Sequence, residues 1–252
     1  MINPFTIIQG FDANLAENGK VIAIASSAAG GRTTTASSLI YHYINLGINV
    51  FLFSEDKKHS DVLLEEIKNQ KTENQNIGCL ITFSVENLNY YYINENIRKN
   101  LRFLTGNSIV VIDNSFYEIS LKFFSERPEN VFSRFVLTEK TIILDESKSD
   151  IFYQTLLNKK RFLEHIRKIA YNFNIPVILT AQQIRTTNSN TDYFGTTLMY
   201  MCDVYLQSEK LTNNRKFNLK VIKSRYASAA QNVICEIDAK KLMFVTNSRI
   251  LR

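Results

Sequence analysis

"VIAIASSAAGGRTTTASSLIYHYINLG", residues 21 to 47, decides how this chain is read. "VIAIAS" (21–26) is short, apolar and rich in β-branched residues, the pattern of a buried strand. "TTASSLIYHYINLG" then has Leu39, Tyr43 and Leu46 at helical spacing, with Gly47 as a stop signal. A strand that turns through small residues into a helix presents consecutive backbone N–H groups, and the positive end of the helix, to an anion. Set against GxxxxGK[ST], Ser26 stands at the first glycine, Gly30 and Gly31 lead up to the basic position, and Thr33 and Thr34 follow it. These residues and Arg32 are the candidate nucleotide contacts, with the Thr33 hydroxyl available to Mg²⁺. A plain small-residue turn between strand and helix would be spelled the same way. Arg32 departs from the motif, because a broad planar guanidinium replaces a compact ammonium. Arginine can hold phosphate and still fail to follow the γ-phosphate through transfer, so binding is a safer expectation than turnover.

Working outward, apolar runs alternate with helical patterns, which predicts an α/β fold with a parallel sheet built from βαβ units. Strands are expected at 49–54, 108–115 ("SIVVIDNS"), 140–147 ("KTIILDES") and 177–182, and helices over 84–103 and from about Asp150 to Phe173. A helix holding Val62, Leu63 and Ile67 precedes a polar loop at 69–76. The region 117–135 reads as helix broken near Pro128, and "RTTNSNTDYFGTT" as a polar loop. "KFNLKVIKSR", "NVICEID" and "KLMFVTN" form an expected C-terminal antiparallel meander. No repeat or linker composition divides the chain, so residues 1–252 are expected to form a single domain.

Composition sets the outer bounds. With 252 residues and 45% hydrophobic content, the chain can bury a sizeable core. A net charge of +6 suits a polyanionic partner, as it also suits a soluble surface. Cys79, Cys202 and Cys235 are scattered, with no CxxC pair, which argues against zinc and for reduced thiols in a cytoplasmic protein. Neither a signal peptide nor a membrane-length apolar run is visible, so no membrane partner is expected. His42, His59 and His165 are isolated from one another and read as surface or packing residues.

Polar residues at strand ends supply the remaining candidates. Asp145 in "TIILDES" can hold Mg²⁺, with Glu146 as a water-orienting base, although "DESKSD" is also a good helix-capping sequence. Asp113 in "VVIDN" competes for that role, and spacing alone does not choose between them. Glu55 and Asp56, after "FLFS", can polarise an attacking water or simply lie in a solvated loop. Gln182, Gln183 and Arg185 end the strand "VILTAQ"; an amide there can sense a γ-phosphate, or the three can make a polar turn. Lys223 and Arg225 in "VIKSR" share one face of a strand, where they reach a neighbouring subunit's phosphate or face water.

The order of these signals resembles one family: the RecA-like motor domain of DnaB-type replicative helicases. The resemblance runs from "GFDANLAENGKVIAIAS" to the final strands, and no counterpart of that family's N-terminal domain is expected in these residues. It implies a RecA-like P-loop NTPase fold using ATP and Mg²⁺, assembled as a homo-oligomeric, hexameric ring on single-stranded DNA. Its register puts "SIVVIDNS" on an earlier strand and so makes Asp145 the metal-side acid. It puts Asp56, beside Glu55, at the catalytic glutamate, Gln182 at the sensor, and Lys223 with Arg225 at a pair acting between subunits. The family's DNA loop carries an arginine; here "NTDYFGTT" offers Tyr193 and Phe194 and no cation, two aromatics that can stack on single-stranded bases or serve as ordinary loop anchors, and Arg185 is the further candidate nucleic-acid contact. Arg32 and Asp56 depart from the family's lysine and glutamate. The resemblance therefore implies an ATP-driven motor or, as the alternative, a weak or inactive helicase-like subunit that binds nucleotide or a helicase ring as loader, inhibitor or structural partner. A recombinase-like or clock-type RecA-fold ATPase without unwinding activity is a third reading.

Overall fold

The computed structural model describes residues 19–27, 29–54, 57–69, 78–84, 90–100, 108–113, 146–185, 190–192, 196–211, 216–225, 232–238 and 243–251. The strands are β1 (Val21–Ser26), β2 (Asn49–Ser54), β3 (Leu80–Ser84), β4 (Ser108–Asp113), β5 (Val177–Arg185), β6 (Asn190–Asp192), β7 (Val204–Lys210), β8 (Lys216–Ser224), β9 (Asn232–Asp238) and β10 (Met243–Leu251). The helices are α1 (Arg32–Asn45), α2 (Lys57–Asn69), α3 (Tyr90–Lys99), α4 (Glu146–Phe173) and α5 (Thr196–Met201). One sheet has the order β10-β9-β8-β7-β1-β5-β4-β2-β3, with β6 paired to β5. From β3 across to β7 the pairings are parallel, and from β7 to β10 they are antiparallel.

The central strands are buried on both faces, and for that reason "VIAIAS" and "SIVVID" are apolar without alternation. Successive side chains still divide between two layers. Ile22 and Ile24 pack with Leu39, Ile40 and Ile44 of α1 and Leu63 of α2. Val21, Ala23 and Ala25 pack with Ile166, Ile169 and Ala170 of α4 and Ile93 and Ile97 of α3. The result is a sheet sandwiched by helices. Its parallel strands all end at one edge, which brings Ser26, Ser54, Asp113 and Gln182 to the same side.

Several expectations change. Residues 80–84 form the edge strand β3, which is not among the expected strands, so Ser84 closes a strand instead of opening the expected helix, of which α3 covers Tyr90–Lys99. Glu146 and Ser147 open α4 instead of closing a strand; residues 140–145 lie outside the described residues. β5 continues to Arg185, and Asn190–Asp192 folds back on it antiparallel, so part of the expected polar loop is a hairpin. β7 is not among the expected strands, yet it pairs parallel to β1 and joins the parallel strands to the meander. Leu46 is 55% exposed, so the apolar stripe of α1 ends at Ile44. Gly47 ends the helix as expected, with φ 79. Cys79 and Cys202 are free thiols. Among the described residues no helix is long and apolar enough to cross a membrane.

Candidate nucleotide-binding site

The site begins where β1 hands over to α1. The Gly30 N–H donates to Ser27 O at 2.9 Å and closes a tight turn, while Ser26 Oγ donates to the same carbonyl at 3.0 Å. Ala29 (φ 58) and Gly31 (φ 90) both adopt left-handed conformations. Two positions are glycine for steric reasons as well. A Cβ on Gly30 would lie 2.7 Å from Ser26 Cβ, and one on Gly31 would overlap the Phe217 ring of β8. The loop is anchored from behind by Ser208 of β7, whose Oγ donates to Gly30 O at 2.9 Å.

Hydroxyls also hold the first turns of α1, a segment of poor helix formers. Thr35 Oγ1, Ser37 Oγ and Ser38 Oγ each donate at 2.8 Å to the carbonyl four residues earlier. Gly31, as N-cap, supplies no side-chain hydrogen bond, and the first turn has no acidic residue. A helix N-terminus without a capping side chain or an acidic first turn is an arrangement that favours an anion.

Two charged groups converge there. Thr33 Oγ1 stands 3.5 Å from Asp113 Oδ1, and Thr180 Oγ1 donates to that oxygen at 2.6 Å. Asp113 is 2% exposed at the carboxyl end of β4. Arg32 is largely desolvated; burial lowers its pKa, and the Asp113 carboxylate opposes that shift. A cation at the positive end of a helix gains nothing from the dipole, so this guanidinium is suited to an incoming anion. A hydroxyl and a buried carboxylate are hard oxygen donors, and Mg²⁺ is usually held by one or two carboxylates together with phosphate. The pair fits Mg²⁺. Among the described residues no cluster of three or more His, Cys, Asp or Glu forms a self-sufficient metal site.

Of the residues singled out in the sequence, Ser26, Gly30, Gly31, Arg32, Thr33 and Thr34 lie together at this loop. Gln182 is next to them, in register with Ser26 across β1 and β5. Glu55, Asp56, Asp145, Tyr193 and Phe194 lie outside the described residues. Glu146 is the first residue of α4 and Arg185 the last of β5. The carboxylate that the described residues bring to Thr33 is Asp113.

Lys223 and Arg225 sit elsewhere. β8 runs antiparallel to β7, so Lys223 pairs with Tyr205, close to the amino end of the parallel strands. Lys223 Nζ donates to the carbonyls of Met199, Tyr200 and Cys202, and Arg225 Nη2 donates to Tyr200 O at 2.7 Å. In their own chain the two cations cap the C-terminus of α5. Ser208, Phe217 and Thr180 join the site without having been candidates from sequence, although the lone threonine in apolar "VILTA" is a usable signal.

Solved structures share this architecture over most of the chain. The RadB recombinase gives a TM-score of 0.54 at 16% identity, over 89% of this chain and 90% of that one. The fold is RecA-like. A solved ATPase domain superposes with a TM-score of 0.60 at 14% identity, covering 91% of this chain and 85% of that one. A DnaB-like replicative helicase, solved in a study of its interactions with primase, gives 0.61 at 14% identity, over 91% of this chain and 59% of that one. No protein-family model matches the sequence, and no curated protein matches it either. At such identities it is the RecA-like architecture that is shared.

Proposed function

We propose that this chain is a RecA-like, P-loop-type nucleoside triphosphatase of the helicase kind, binding ATP with Mg²⁺ at the head of α1. The observation that carries the reading is Thr33 Oγ1 facing the buried Asp113 carboxylate beside a glycine loop whose helix has no side-chain cap. Gly30, Gly31, Thr33 and Thr34 supply loop contacts, and Arg32 supplies positive charge. Thr33 and Asp113 would hold the Mg²⁺, whose contribution is to neutralise charge on the β- and γ-phosphates. Asp113 takes the metal-side role that the family register gave to Asp145. Gln182, at the sheet edge beside Ser26, is the sensor. Asp56 and Glu55 follow directly on β2, whose last residue Ser54 pairs with Asp113, so their place in the chain supports a water-orienting role. Glu146 is the further acid, at the head of α4.

The action is on single-stranded DNA, with Arg185, Tyr193 and Phe194 as strand contacts. One RecA-like domain spanning residues 1–252 assembles as a homo-oligomeric ring in which Lys223 and Arg225 serve a neighbour's nucleotide. ATP turnover with and without single-stranded DNA tests this, using wild type, Arg32→Lys and Arg32→Ala. DNA-stimulated turnover in wild type that drops in Arg32→Ala supports a motor. Background turnover rescued by Arg32→Lys contradicts it.

A second reading is a nucleotide-binding subunit that does not hydrolyse and works within a helicase assembly. Two observations favour it: Arg32 stands at the lysine position, and Lys223 and Arg225 are held by α5 of their own chain.

A further inference from the structure

A cleft of about 440 Å³ opens at the sheet edge opposite the glycine loop, between Lys20 ahead of β1, the outer face of α4, and Arg225. Residues 21–25 separate Lys20 from Ser26, six strand steps or about 20 Å. The cleft is thus separate from the glycine loop of its own chain, and the strand contacts proposed below leave out Arg225, which the proposed ring gives to a neighbour. On α4, Phe162, Leu163, Ile166, Ile169 and Ala170 face the core. Glu164, Arg167, Lys168 and Tyr171 follow the i, i+3, i+4, i+7 spacing of the opposite stripe and line the cleft.

Its chemistry is specific. Among the described residues Lys20, Arg167, Lys168 and Arg225 are the cations of the lining, and Glu164 and Asp203 its acids. Asp203 is already committed: it is 5% exposed, accepts the Val21 N–H at 2.9 Å, and lies 3.6 Å from Arg225. Tyr171 is 80% exposed, an aromatic ring presented to solvent beside two cations. A hydrophobic core does not require that ring, and a peptide-binding groove would be more apolar. Cations spaced along a groove with an aromatic between them match a sugar–phosphate strand, with phosphates on the charges and a base stacked on the ring. The volume falls within the range of small-ligand pockets, roughly 300–1,000 Å³, and suits a single splayed nucleotide better than a duplex.

We propose that this cleft binds a segment of single-stranded nucleic acid, with phosphates on Lys20, Arg167 and Lys168 and a base on Tyr171. It does not need the loop that carries Tyr193 and Phe194, and it does not depend on nucleotide hydrolysis.

The test is fluorescence anisotropy with a labelled oligothymidylate of about 15 nucleotides, a length in the range such grooves cover, with no nucleoside triphosphate present. Wild type is compared with Arg167→Ala/Lys168→Ala, Tyr171→Ala and Tyr193→Ala/Phe194→Ala, with thermal melts run in parallel to verify folding. The double cation variant should weaken binding about tenfold or more and flatten the salt dependence of log K by about 1.4, at roughly 0.7 per phosphate released. Tyr171→Ala should weaken it about fivefold or more and leave the salt slope intact. Wild-type affinity in both variants overturns the proposal, as does loss of binding confined to the Tyr193/Phe194 variant. Displacement of the strand by inorganic triphosphate or polyglutamate at equal charge also overturns it, since the cleft would then be a general anion surface. Failure of ATP turnover alone leaves these outcomes unchanged, so the two readings fail separately.

Discussion

Arg32 and Asp113 together define the electrostatics of the loop. Desolvation works against the guanidinium and the Asp113 carboxylate works for it, so under the proposed function Arg32 offers a polyphosphate a partly desolvated positive charge. Arg32→Ala should therefore weaken nucleotide binding about 10- to 100-fold, the value of a charge-assisted hydrogen bond of roughly 1.5–3 kcal/mol; titration with a fluorescent ATP analogue measures it. Gly31 is constrained differently. Its left-handed backbone and the Phe217 ring leave no room for a methyl group. Gly31→Ala should cost about 2–4 kcal/mol from αL strain and overpacking, which a thermal melt would show as a fall of about 5–15 °C. Adding Phe217→Ala should relieve the clash but not the strain, so the two effects will not sum.

The elements carry a second set of consequences. α1 couples the glycine loop to the core, and His42 in its last turn is half-buried, with its pKa lowered by that burial. The unfolded chain thus binds this proton more readily than the folded one in the window below the ordinary imidazole value of about 6.5. Stability should be fully present above that value and decline as pH falls through the window. Melts between pH 7.5 and 5.5 should show a smaller decline in His42→Gln.

The central strands, α1 and the meander were legible because burial on both faces writes itself as unbroken apolar runs and amphipathic helices as periodic ones. β3 was not, because it is a five-residue edge strand, half-buried, and followed by letters that favour helix. β7 was not, because "VYLQSEK" turns polar after its third residue and its place depends on pairing with β1. The glycine loop was legible letter by letter. The pairing of Thr33 with Asp113 was not, because it arises from strand order, which places β4 two strands from β1 across β5. Ser208 and Phe217 were equally hidden, since nothing local marks a side chain that touches a loop far earlier in the chain.

Across the whole molecule the sheet has two working edges. Its carboxyl edge holds the glycine loop, and the opposite edge holds Lys223, Arg225 and the basic cleft. Lys223 and Arg225 cannot serve the site of their own chain, so any catalytic contribution from them requires a second copy. If they act that way, Arg225→Ala mixed with wild type should depress turnover more than dilution explains; proportional loss would argue for independent sites. Their contacts with α5 give a separate local reason for both residues to be present. Lys223→Ala should cost about 1 kcal/mol of stability, reduced from a fully buried charged hydrogen bond because the group is solvent-accessible, and chemical denaturation would register it.

The proposed function depends on Thr33 and Asp113 meeting over one magnesium–nucleotide complex. Equilibrium titration of a fluorescent ATP analogue, with and without Mg²⁺, on wild type and Asp113→Asn tests that meeting. Mg²⁺ should tighten wild-type binding about tenfold or more, equivalent to roughly 1.4 kcal/mol, and Asp113→Asn should abolish the gain while leaving Mg²⁺-free binding in place. Binding that ignores both Mg²⁺ and the Asp113 substitution would contradict the account.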